Sequence, residues 1–157
     1  MSEPTLAPIY VALRAEALSW GPKEIKAPPV VEDGEVLGVV MDIGYDEAVV
    51  TVVGLAEGTT SIYASTGAAK IGMGAHQHVA TTSKAWIAVA EAAPVNASEA
   101  TELPVAGAVQ FTLLTTGAKR SATADEAALQ AGNHPLSDLY TAGQDVIGAI
   151  RAVDEGE

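Results

Sequence analysis

Apolar residues recur every three or four positions near the start of the chain, at Leu6, Ile9, Tyr10, Leu13, Ala17 and Trp20. That spacing predicts an amphipathic helix over residues 5–20. Pro8 is tolerated in its first turn, and Gly21-Pro22 ends it. Residues 22–35 hold Pro22, Pro28, Pro29 and the run Glu32-Asp33-Gly34-Glu35. They read as a solvated linker, with room for a short edge strand at Val30-Val31. The pattern then changes period. Runs rich in β-branched residues at 36–43, 49–55 and 60–65 predict three strands. The gaps, Gly44-Tyr45-Asp46 and Glu57-Gly58, are too short for parallel crossovers, so the three form an antiparallel meander.

A Gly-rich loop follows at 65–74, and then a helix over 75–93 with Val79, Trp86, Ile87 and Ala90 on one face, stopped by Pro94. Residues 94–107 read as loop. Val109, Phe111 and Leu113 alternate with Gln110 and Thr112, a fourth strand with one core face. Thr116-Gly117 offers a turn into a fifth strand at 119–124, and 125–130 has the makings of one helical turn. Leu136, Leu139, Tyr140, Gly143, Val146, Ile147, Ile150 and Val153 define a last helix, whose start near Ser137 is open, and 154–157 is a solvated tail. The expected order is α-βββ-α-ββ-α. This is an α+β fold with a five-stranded antiparallel sheet and helices packed on it. The 157 residues fit one domain: an N-terminal helix at 1–21, a linker at 22–35 and a core at 36–153.

Composition narrows the functions. Ile, Leu, Val and Phe number 37, enough for a packed core, although alanine supplies another 30 of the apolar residues. Eight basic against 20 acidic side chains give a net charge of −12. That argues against binding a phosphate backbone, which needs cations to release counterions. The opening α-βββ-α order is similar to double-stranded-RNA-binding domains, but their basic helix terminus is absent and the charge has the wrong sign. The absence of cysteine removes disulfides, thiolate metal sites and cysteine nucleophiles. No signal sequence and no apolar run of membrane-spanning length is visible, so a cytoplasmic protein without membrane contact is expected.

Loop 65–74 is the best candidate for chemistry. A Gly-rich turn feeding a helix aims backbone N–H groups at one point and attracts anions. Gly67, Gly72 and Gly74 would let a ligand approach. Ser65 and Thr66 would add hydroxyls, and Lys70 a charge. Gly67 and Gly72 copy the first spacing of a phosphate-binding P-loop, but Met73 and Gly74 stand where its Lys and Ser/Thr belong. His76 lies at the start of the middle helix and His134 just before the last one, so the two could meet near the loop. The bland reading is a tight strand-to-helix connection. His76 and His78, two apart, are a poor helical chelate, and no metal or other cofactor is expected. Asp42, Asp46 and Glu47 cluster near one turn and read as a solvated rim.

The segment from Ser61 to Gly67, Ile71 to His76, His134-Pro135-Leu136-Ser137 and the Tyr140, Gly143, Val146, Ile147 pattern resemble a family of small uncharacterised bacterial proteins. The parts list is similar to the profilin and roadblock type, α+β modules that dimerise and bind partners. With no catalytic constellation in sight, that likeness implies a non-enzymatic interaction or scaffold module acting as a homodimer with a protein partner, while a small anionic ligand is what loop 65–74 suggests. The alternative is a small-ligand binder, or a cryptic enzyme, at loop 65–74 with His76 and His134.

Overall fold

The structure, a computed structural model, describes residues 6–20, 35–98, 102–116 and 119–154. The linker at 22–34, its edge strand Val30-Val31, Gly117 and the end of the tail lie outside the described residues. Helix α1 spans Pro8–Ser19 with Pro8 in its first turn. Strands β1 (Val36–Gly44), β2 (Val49–Leu55) and β3 (Thr60–Ala64) follow as the expected meander. A two-residue strand, β4 (Ala69–Lys70), pairs with β3. A 3₁₀ turn at Met73–Ala75 leads into α2 (Gln77–Ala92). Strands β5 (Ala108–Thr115) and β6 (Arg120–Asp125), α3 (Glu126–Gln130) and α4 (Ser137–Asp154) complete the chain.

The sheet therefore has six strands rather than five, in the order β4-β3-β2-β1-β5-β6, and every neighbouring pair is antiparallel. The extra strand comes from the Gly-rich loop. Gly67 sits at φ +107, which a side chain rarely tolerates, and turns the chain back so that the Ala64 N–H donates to the Ala68 carbonyl. Residues read as an open loop thus add a strand to the β3 edge. The helix α2 carries the chain across the sheet and delivers β5 beside β1.

The register sorts the side chains into two cores. On one face Val39, Met41, Ile43, Val52, Val109, Phe111 and Leu113 pack with residues of α2, α3 and α4. On the other, Val40, Val49, Val53, Leu55, Tyr63 and Leu114 pack under Tyr10, Ala17 and Leu18 of α1. Strands β1 and β5 are buried along their whole length. Coverage on both faces explains why 36–43 reads as one apolar run instead of an alternation.

Trp86 joins the layers. Its indole N–H donates to the Leu139 carbonyl at 3.0 Å, tying α2 to α4. Tyr140 hydroxyl donates to Glu126 at 2.7 Å and ties α4 to α3. Gly54 lies against the Trp86 ring, where a Cβ would stand 2.8 Å from Cε3 and 3.3 Å from Ser83 Oγ. The ring is fully buried and hydrogen-bonded, so it has nowhere to move. Gly54→Ala is expected to cost about 1–3 kcal/mol. Urea denaturation should show a lower midpoint at unchanged slope, and a midpoint equal to that of the unmodified protein contradicts this packing.

Candidate functional site

The residues singled out in loop 65–74 fall on successive turns, and much of their chemistry is engaged by the fold. Ser65 is buried; its hydroxyl accepts from the Val49 N–H at 2.9 Å, and its carbonyl accepts from the Ala7 N–H at 2.8 Å. Thr66 is exposed, and Gly67 forms the β3–β4 turn. Lys70 is half-buried in β4. Gly72, at φ +72, opens the 3₁₀ turn. Gly74 packs on the β2–β3 turn, where a Cβ would run into the Gly58 carbonyl oxygen. The N–H groups of Gly67, Ala75 and His76 donate to carbonyls within these turns. His76 is exposed at the entry to α2 and makes no side-chain cap bond. His134 organises the entry to α4 locally: its Nδ1 accepts from the Leu136 N–H at 3.0 Å, and its own N–H donates to Ser137 Oγ at 3.2 Å. No group of three or more His, Asp or Glu able to hold a metal occurs among the described residues.

A denser polar assembly lies under α1. Asp42 sits in the middle of the sheet with no exposure. Arg14 of α1 reaches down to it with a bidentate grip, Nε to Oδ1 at 3.0 Å and Nη2 to Oδ2 at 2.8 Å. Thr51 of β2 donates its hydroxyl to Oδ1 at 2.6 Å. Thr51 has only one proton to give, so Tyr10 must donate to Thr51 across their 2.7 Å contact. The chain of donors thus runs Tyr10 to Thr51 to Asp42, with Arg14 closing it. Burial opposes charge on Arg14, but the hydrogen bonds and the attraction of Asp42 outweigh it and move its pKa upward. Burial also pushes the Tyr10 phenol up, to about 12; the bond to Thr51 acts the other way, and the Asp42 charge adds to the rise.

Asp42 belongs to a line of polar residues crossing five strands. Tyr63 is registered with Thr51, Thr51 with Asp42, Asp42 with Gln110, and Gln110 with Thr123. On the β5 side the line is less complete: Gln110 Nε2 and Thr112 Oγ1 are buried without a hydrogen-bond partner among the described residues. Because both oxygens of Asp42 are engaged and sealed from solvent, this carboxylate cannot touch a substrate. Its geometry suits an anchor that fixes the rotation of α1, not a general base.

That rotation differs from the expected one. Tyr10, Ala17 and Leu18 face the sheet, whereas Ile9 and Leu6 are 54% and 38% exposed. Turning Arg14 inward to meet Asp42 carries Ile9 outward. A cleft of about 370 Å³ lies beside α1, lined by Leu6, Tyr10, Val11, Arg14 and Leu18 on the helix side and by Leu103 and Lys119 across from it. Among the described residues no helix is long and apolar enough to cross a membrane. Comparisons with protein-family models, with curated proteins and with solved structures give no match.

Two outcomes test the anchor. Arg14→Ala leaves a buried charge without its partner and is expected to cost about 3 kcal/mol or more, while Arg14→Met combined with Asp42→Leu should recover most of that loss in thermal unfolding. A double variant no better than Arg14→Ala contradicts the pairing. A phenol whose pKa is raised in the folded state stabilises the fold fully below its unfolded value of 10.0 and loses that contribution as pH rises toward about 12. Tyr10→Phe should therefore show a shallower fall in stability between pH 10 and 12; an unchanged slope contradicts the assignment.

Proposed function

We propose that the chain is a non-enzymatic interaction module that works as a homodimer through the outer surface of α1. The observation that carries this reading is the placement of Leu6, Ile9 and Val11. These are three of the six large apolar side chains exposed among the described residues, and all lie within or at the start of one helix. Scattered exposed apolar residues are ordinary, but a concentration on one rigidly held element favours association. The Arg14–Asp42 grip supplies the rigidity, so little order would have to be gained on binding. Ile9 and Val11, two residues apart, stand on opposite flanks of α1 and straddle its outer surface, so a copy crossing the helix about a two-fold axis meets both and gives a closed assembly.

A small-anion site at loop 65–74 with His76 and His134 is the weaker reading. Ser65 and Gly74 are committed to the fold, and His134 is bonded within its own turn.

Charge adds a distinctive expectation. Two copies, each at −12, repel one another, and salt screens that repulsion over a Debye length of roughly 8–10 Å at physiological strength. Light scattering after gel filtration should give twice the 15.9 kDa chain mass, with dimer favoured as salt rises. Ile9→Glu should shift the protein to monomer and abolish the rise of melting temperature with protein concentration that the unmodified dimer shows. A monomer at every concentration and salt overturns the reading.

A further inference from the structure

We propose that the cleft beside α1 binds an amphipathic organic acid, with the apolar body between Leu6, Val11 and Leu103 and the carboxylate at the Lys119 ammonium. This goes beyond the association of copies: Leu6 and Val11 are shared with the surface proposed for that association, whereas Ile9 is not part of the cleft. The cleft volume of about 370 Å³ lies within the roughly 300–1,000 Å³ typical of small-molecule sites. Its exposed wall is mostly apolar, from Leu6 just before α1, Val11 and Leu18 on it and Leu103 opposite, with Tyr10, Arg14, Ser19 and Lys119 as the polar groups.

Charge selects the ligand class. The chain has 20 acidic residues, yet among the described residues the charged side chains lining this cleft are Arg14 and Lys119, with no carboxylate. The inner edge of Arg14 is held by Asp42. Lys119 forms no ion pair with the described residues. An ammonium in the wall of a mostly apolar cleft, within an otherwise acidic protein, favours one anionic group joined to a hydrocarbon or aromatic body and disfavours cationic or doubly polar ligands.

The test is isothermal titration of the full chain with decanoate, below the concentration at which it forms micelles, beside 1-decanol and butyrate. Decanoate should bind, decanol should bind about tenfold more weakly, and butyrate should show no heat. Lys119→Met should reduce decanoate affinity about tenfold and leave decanol unchanged, with Lys119→Arg restoring the preference. Leu103→Asp should abolish both. In Ile9→Glu, decanoate binding should persist, so loss of dimer and loss of ligand are separable results. Equal binding of decanoate and decanol, indifference to Lys119→Met, or no binding of decanoate each overturns the proposal. So does association of copies that depends on Leu103 in the absence of any decanoate binding, because the cleft would then be a protein interface.

Discussion

A carboxylate placed in the middle strand of a covered sheet has to be neutralised from above, and this requirement organises one side of the molecule. Asp42 lies between Thr51 and Gln110 on strands that are buried on both faces. Water cannot reach it, so its charge is met by the Arg14 guanidinium and by the Thr51 hydroxyl. A buried pair of this kind adds little net stability compared with a well-packed apolar pair, because desolvation offsets most of the attraction. What it does supply is direction. Only one rotation of α1 points Arg14 at Asp42 while Tyr10 reaches Thr51.

The surface follows from that rotation. Ala17 and Leu18 pack downward with Tyr10, and Ile9 turns to solvent. Val11 and Leu18 open onto the cleft shared with Leu103 and Lys119. The other face of the sheet has no such tension: it is an apolar core closed by Trp86, with Gly54 and Gly143 allowing close approach. The protein therefore divides into a stable apolar half and a half where polar bonds decide geometry, and the proposed binding surfaces belong to the second.

Much of the scaffold was legible in the sequence. The meander over 36–65, the middle and last helices, and the alternation at Val109, Phe111 and Leu113 gave strong periodic signals, because each buries one face or both. The 69–70 strand was hidden, since Ala69 and Lys70 have no strand signature and Gly67 suits an anion loop as readily as a hairpin turn. The α1 rotation was missed for a related reason. Reading only apolar spacing sends Ile9 inward, whereas Arg14 lies four residues after Tyr10 and three before Ala17, on the same helical face. A carboxylate at an inward position of a run as apolar as 36–43 was the available clue that a cation must lie on that face. The cleft had no sequence signature, because Leu103 and Lys119 reach it from segments far from α1 in the chain.

Amide hydrogen exchange under native conditions measures most directly whether the Asp42–Arg14 contact holds α1 in place. The account requires the α1 amides around Arg14 to exchange as slowly as those of β2, and to become selectively fast in Arg14→Ala while β1, β5 and α4 remain protected. Rapid exchange throughout α1 in the unmodified protein, or protection that survives Arg14→Ala, would contradict it.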